Sequence, residues 1–294
     1  KELLKKGFSH AGHYVSADEM LKTVNTAAKT SVALPEYWDK ISIKKRTMLP
    51  YAAALAAILI AGGFYVKNNP EILAKYAKVS TFSLAYNQPS NITFDGQCLW
   101  ACDWYGQAIY KHDPVAGLKL LRIFNFPGKH FTALAWADGY LWSADAWEGK
   151  IYKHNTDDNL TILETYNAPG SAISGLAFDG KNMWSCDASA GMIYKHTMDA
   201  NLTVDDVFES PGASPSGLFF DGKNLWSVDS KLNRISCHRM DNALSVAASF
   251  TPPLFDQKNY NLSGIALKGN TVWVCSEKLS KVFSFPKEKM ELVK

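Results

Sequence analysis

The chain lacks the cysteine pattern of a stapled domain. It has five cysteines, an odd number, with no Cys-x-x-Cys pair and no Cys-x-x-Cys-His run. A disulfide scaffold, a cysteine-rich zinc site and a covalently attached haem are therefore not expected. A charge excess of either sign is also missing. Lys and Arg total 31 against 28 Asp and Glu, a formal net charge of +3, and no basic stripe interleaved with aromatics occurs. That argues against a nucleic-acid binder. Charge is wholly absent from 48–66 (MLPYAAALAAILIAGGFYV), the one long apolar run.

What is present is a repeat. Trp100, Trp142, Trp184, Trp226 and Trp273 mark five copies, spaced 42, 42, 42 and 47 residues apart. The clearest copies are SGLAFDGKNMWSCDASAGMIYKH and SGLFFDGKNLWSVDSKLNRISCH. Each reads as short strands bounded by Gly, Asn, Asp and Pro, a pattern of strands rather than helices. A period of this length with four strands per unit is the signature of a β-propeller. The fifth copy runs out after three strands, near Phe285, while 79–85 (VSTFSLA) precedes the first copy as a fourth strand should. The expected fold is all-β, a five-bladed β-propeller over 79–286 whose N-terminal strand completes the last blade. Two hairpins depart from the pattern. Asp138-Gly139 comes one residue late, which predicts a different turn, and the fifth copy has Lys268-Gly269-Asn270 with no Asp.

The remaining third divides into a tail at 1–47, an apolar segment at 48–67, a linker at 68–78 and a C-terminal tail at 287–294. Ser16 to Glu19 has capping-box spacing, which predicts a helix from Ala17 to Lys29. The apolar run is about as long as a spanning helix requires. Lys40, Lys44, Lys45 and Arg46 crowd its N-terminal side. The positive-inside rule then predicts one transmembrane helix with a cytoplasmic N-terminus and an external propeller, periplasmic in a bacterium. Ala53, Ala57 and Ala61 fall on one helix face, as if to pack against the helices of integral membrane subunits.

Among residues that could carry chemistry, most repeat. His112, His154, His196 and His238 recur every 42 residues on the third strands. Successive blades would hold them much too far apart for one metal ion, so a hydrogen bond within each blade is expected. Asp103, Asp145, Asp187 and Asp229 end the second strands and suit loop capping. No metal, cofactor or catalytic set is expected from these. The residues that break the repeat on the loop face are more informative. Trp104, Tyr105, Trp147, Glu148, His130 and Phe131 form the expected partner-binding patch. The other non-repeated charges in those loops are Glu277, Lys231 and Lys278. Asn91, Asn159, Asn201 and Asn261 each begin an Asn-x-Ser/Thr triplet, two of them within the repeated turn NLT.

The pattern GLxFDGxxLWSxDxxxxxIYKH resembles NHL-type and related bacterial propeller repeats, including the five-bladed glutamine cyclotransferase-like group. The resemblance spans about residues 79–286 and implies the propeller fold. Enzymes of that group carry Glu-containing strand motifs of the EGL or ESTG kind. The matching positions here read SGL and WSxD, so no catalytic residue carries over. Two functions follow as expectations. The first is a membrane-anchored, non-catalytic scaffold, an accessory subunit that holds an external partner on its loop face. The alternative is a propeller enzyme of the cyclotransferase, lactonase or lyase kind acting at the central mouth.

Overall fold

A computed structural model describes residues 79–253 and 260–293. The strand β1 (Ser80–Ser83) comes first. Blade 1 follows as β2 (Pro89–Phe94), β3 (Leu99–Asp103), β4 (Ala108–Asp113) and β5 (Lys119–Asn125). Blade 2 is β6 (Phe131–Ala137), β7 (Tyr140–Asp145), β8 (Lys150–His154) and β9 (Ile162–Asn167). Blade 3 is β10 (Ile173–Phe178), β11 (Asn182–Asp187), β12 (Met192–Thr197) and β13 (Val204–Glu209). Blade 4 is β14 (Pro215–Phe220), β15 (Leu225–Asp229), β16 (Arg234–His238) and β17 (Val246–Thr251). Blade 5 holds β18 (Leu262–Lys268), β19 (Thr271–Ser276) and β20 (Lys281–Pro286). The chain then makes a 3-10 turn, Lys287–Lys289, and a last strand, β21 (Glu291–Leu292).

The five sheets form a ring. Innermost strands β2, β6, β10, β14 and β18 touch in sequence, and β18 returns to β2. Residues of β2 are all buried, whereas the outermost β5 is mostly exposed. The closure is the expected one. β1 pairs antiparallel with β20, Phe82 opposite Val282, and completes blade 5. Phe82 stacks on Trp273 with ring centroids 5.5 Å apart. The C-terminal end does more than form a tail, because β21 adds a fifth strand to blade 4 through Phe250 and Thr251. That covers the edge of β17. Lys287 meanwhile lies over the Trp226 ring, 4.2 Å from its centroid. Lys111 does the same for Trp100 in blade 1, from the third-strand position that Cys237 occupies in blade 4.

The membrane half of the expected architecture is corrected. Among the described residues no helix is long and apolar enough to cross a membrane. The expected span at 48–67 with Ala53, Ala57 and Ala61, and the helix expected at 17–29, lie outside the described residues. The single-pass topology, the external or periplasmic placement, the integral-membrane partners reached through the span and the accessory-scaffold function built on them thus find no support. They rested on hydropathy and flanking charge, and nothing in the described fold draws on either.

Inside each blade the repeat is a set of polar locks. The buried His154 meets Ser143 Oγ at 2.7 Å through Nε2 and the Leu160 carbonyl at 3.0 Å through Nδ1. His196 and His238 repeat this with Ser185 and Leu202, and with Ser227 and Leu244. In blade 1 the serine position is Ala101, and the Tyr86 hydroxyl meets His112 at 2.9 Å instead. Asp95, Asp179 and Asp221 each accept the indole N–H of their blade's Trp at 2.8 Å and the N–H groups of their own turn. Blade 2 breaks this lock. Its hairpin has only Asp138 and Gly139 between paired Ala137 and Tyr140, both with positive φ, a type I′ turn. Trp142 Nε1 is left buried without a hydrogen-bond partner.

Two outcomes test these locks. Burial lowers the pKa of His112, His196 and His238, and pushes His154 down to about 4. Protons lost on folding favour the unfolded chain in acid. Stability is full above about pH 6.5 and falls as pH drops toward about 4, with His154 alone contributing on the order of 3 kcal/mol. Urea unfolding across that range, with His154→Phe flattening the slope, is the check. Second, Trp184→Phe removes a bond to a carboxylate and Trp142→Phe removes none. The first should therefore cost about 1.5–3 kcal/mol more than the second in matched urea titrations.

Candidate functional site

Each innermost strand carries a register break at one residue: Ser90, Thr132, Ser174, Ser216 and Ser263. A bulge re-aims the side chain it carries. Here it turns five hydroxyls toward the next blade. Ser90 donates to Phe131 O at 2.8 Å and Thr132 to Ile173 O at 2.5 Å. Ser174, Ser216 and Ser263 donate at 2.6 Å to Pro215 O, Leu262 O and Pro89 O. The last bond joins blade 5 to blade 1, so the ring of bonds closes.

Beside this ring the blades approach so closely that most copies carry Gly. A Cβ on Gly217 would sit 2.8 Å from Gly264 Cα, and one on Gly264 would sit 2.9 Å from Asn91 Cα. Blade 1 places Asn91 at this position, fully buried at 0% exposure. Its amide donates to Ser174 O at 3.2 Å and to Ser216 O at 3.5 Å, and its carbonyl accepts Leu134 N–H at 3.4 Å. One side chain thus ties blade 1 to blades 2, 3 and 4. The same burial leaves no Asn91 amide for a glycan, whereas Asn159, Asn201 and Asn261 are exposed.

The hydroxyl ring floors a cavity of about 810 Å³, within the range of small-molecule sites. Its walls are the loops that follow the second strands. Asp145 shapes one, accepting Trp147 and Glu148 N–H on one oxygen and His130 N–H on the other. Asp187 and Asp229 do likewise, and Asp103 holds Gly106 N–H at 2.7 Å and Gln88 N–H at 3.4 Å. These aspartates cap loops, and the capping positions the wall residues.

Trp104, Trp147, Glu277 and Lys278 all line the cavity. The two indoles stand 6.1 Å apart at 46°, and Trp104 Nε1 donates to Glu277 Oε1 at 2.5 Å. Trp147 is 70% exposed and stacks on His130, ring centroids 4.0 Å apart. Tyr105 is 69% exposed and meets Trp104 edge-on. The structure therefore brings Trp104, Tyr105, Trp147 and His130 together. Glu148 lies exposed beside Trp147, with His130 close enough for their charges to interact, and Phe131 alone does not join them. Phe131 is fully buried in the core against Phe126. Glu148 accepts from Lys129 at 2.5 Å and from the Tyr152 hydroxyl, and Lys129 holds its carboxyl below the usual carboxylate range.

Gln88 also lines the cavity, and its Oε1 is buried without a hydrogen-bond partner. Sequence reasoning missed it, although a signal existed. Gln88, His130, Ala172 and Ser214 are equivalent, each donating its N–H to the aspartate of its own blade. The position breaks the repeat as sharply as the loops do. Among the described residues no group of three or more His, Cys, Asp or Glu is placed to hold a metal ion.

No family model and no curated protein matches the chain. Solved structures do. The glutaminyl cyclase of Myxococcus xanthus aligns over 73% of this chain and 96% of its own at 11% identity, with a TM-score of 0.62. U3-55K aligns over 74% of this chain and 84% of its own at 12% identity, with a TM-score of 0.50. Virginiamycin B lyase from Staphylococcus aureus aligns over 73% and 87% at 15% identity, with a TM-score of 0.48. At such identities the likeness is one of fold alone, that of a β-propeller.

Surface and core members of the expected patch should separate on substitution. Trp147→Ala should change stability by less than about 1 kcal/mol. Phe131→Ala should cost about 3–5 kcal/mol, both read from urea midpoints.

Proposed function

We propose that the chain is an enzyme of the cyclotransferase, lactonase or lyase kind, acting on a small substrate in the axial cavity. The observation that carries this is Glu277. It is a carboxylate on the cavity wall with one oxygen held by an indole N–H and no lysine or arginine in ion-pair contact among the described residues. Ring closure with loss of ammonia, lactone opening and elimination share one requirement. A group must take a proton from one substrate atom and return it to another, a role that suits a positioned carboxylate. Trp104 fixes Oε1 of Glu277 and leaves Oε2 to receive the proton. In a cyclotransferase the substrate amine attacks its own side-chain amide carbon. The new C–N bond forms, the C–NH₂ bond breaks, and the proton taken from the amine leaves with ammonia. The fold likeness to a glutaminyl cyclase supports this class without assigning residues, since the Glu of the EGL motif is replaced here by the ring hydroxyls.

Ammonia release from a glutaminyl dipeptide and acid release from a simple lactone test the reading directly. Glu277→Gln should lower turnover of the accepted substrate about 100-fold or more, with its melting temperature unchanged. Equal turnover in Glu277→Gln and the unaltered chain, or none with any substrate of these classes, sinks it.

A further inference from the structure

We infer that the axial cavity selects a small organic cation, its ammonium head set on the floor and its body against Trp104 and Trp147. The inference rests on the reading of this cavity as the active site, and the hydrogen-bond inventory of the floor carries it. A hydroxyl has one proton. All five floor hydroxyls commit theirs to the next blade's carbonyl. Two further hydroxyls of the lining, Ser230 and Ser280, donate to Ser214 O and Asn87 O. These seven hydroxyls therefore have no proton left for a ligand and can meet one only as acceptors, Ser263 with one lone pair already taken by Glu277 N–H.

Two further acceptors join them. Gln88 Oε1 is buried and unpartnered, and Glu277 has a second oxygen beyond the one that Trp104 holds. Donors among the lining side chains are the exposed Lys278, Asn87 and Asn261, the indole N–H of the exposed Trp147 and the half-buried amide of Gln88. Four aspartates, held by backbone N–H groups, end the strands from which the loops spring and add to the negative side of the field. A buried acceptor without a donor is costly, and a ligand that donates removes the cost.

The wall fits the same ligand. Indole faces attract a cation within about 6 Å of the ring centroid, more strongly where water is excluded. Trp104 and Trp147 both line the cavity, their indoles in mutual contact at 6.1 Å and 46°, with one face of Trp147 covered by His130. An anion would meet lone pairs on the floor and find its one full counter-charge, Lys278, exposed. A neutral ligand could fill the volume without using the charge of Glu277.

Isothermal titration of the 294-residue chain with butylammonium, butanol and butyrate at fixed ionic strength tests this. The three probes share a chain and differ in charge. Butylammonium should bind at least about 10-fold tighter than butanol, and butyrate weakest. Glu277→Gln and Trp147→Ala should each weaken butylammonium about 5-fold or more, with melting temperatures unchanged. Butanol or butyrate binding as tightly as the cation overturns the inference, as does an unchanged cation affinity in both variants. Binding is read without turnover, so the two readings fail separately. Turnover lost in Glu277→Gln with no preference among the probes overturns the cation site alone. A clear cation preference with no turnover on any substrate overturns the enzymatic reading alone.

Discussion

Five hydroxyl bridges between blades hold the ring together at its axis. Each sits on a bulge, where the strand can turn one side chain out of its own sheet. Each bond contributes about 1 kcal/mol by itself. Their effect exceeds that sum in kind, because they fix the angle between blades, and a ring closes only if all the angles agree. The Ser263 bond to Pro89 O completes the circuit, and β1 on β20 closes it again at the rim. A carboxylate at any of these bulges would break one staple of the ring. That is the physical sense in which Ser or Thr where the cyclotransferase-like motif has Glu is not a neutral difference. The carboxylate that does line the cavity, Glu277, comes from a loop.

Much of the molecule is repetition, and where a lock is lost another group tends to replace it. Tyr86 supplies to His112 the hydroxyl that Ser143 supplies to His154. Lys287 reaches back over Trp226, whose strand partner is Cys237 rather than a lysine. Phe285 takes the histidine position of blade 5 and packs in the core. Trp142 is a lock without a replacement, because its shortened hairpin carries Asp138 away from the indole. These exchanges keep the blades alike in shape while their sequences drift. The cavity-facing departures, in contrast, are not compensated back toward the repeat. Gln88, Trp104, Trp147 and Glu277 have different residue types at their equivalent positions in blades 3 and 4.

The period, the blade count and the strand that closes the ring were legible because each reflects local pattern: alternation, turn residues and a Trp at fixed spacing. The roles of the recurring histidines and aspartates were legible too, since strict recurrence suits structure better than asymmetric chemistry. Contacts across the axis were not. Asn91 looks like the first residue of an exposed glycosylation triplet, yet it is the strut between four blades. Phe131 looks like a neighbour of His130 on the surface, but it opens β6 and is fully buried in the core. β21 is two residues of ordinary composition whose partner, β17, lies one blade back. The membrane anchor was read from an apolar run and its flanking charges, which lie outside the described residues.

Why the acid falls in blade 5 follows from one exchange. Blades 1 to 4 end the second strand with Asp, and in blades 3 and 4 the next residue's N–H bonds the connector: Ala188 to Ala172 O, Ser230 to Ser214 O. Blade 5 has Ser276 instead. Its hydroxyl donates to Tyr260 O and accepts only Leu279 N–H, one backbone donor where Asp187 or Asp229 accepts three. Glu277 N–H turns down to Ser263 Oγ at 3.2 Å, onto the very hydroxyl that staples blade 5 to blade 1. The backbone of Glu277 is thereby seated at the seam, and Trp104, on the far side of that seam, can hold its carboxylate. A shorter cap in one blade breaks the five-fold pattern at the cavity wall while leaving the ring intact. Asymmetric chemistry on a repetitive fold needs a departure of that kind.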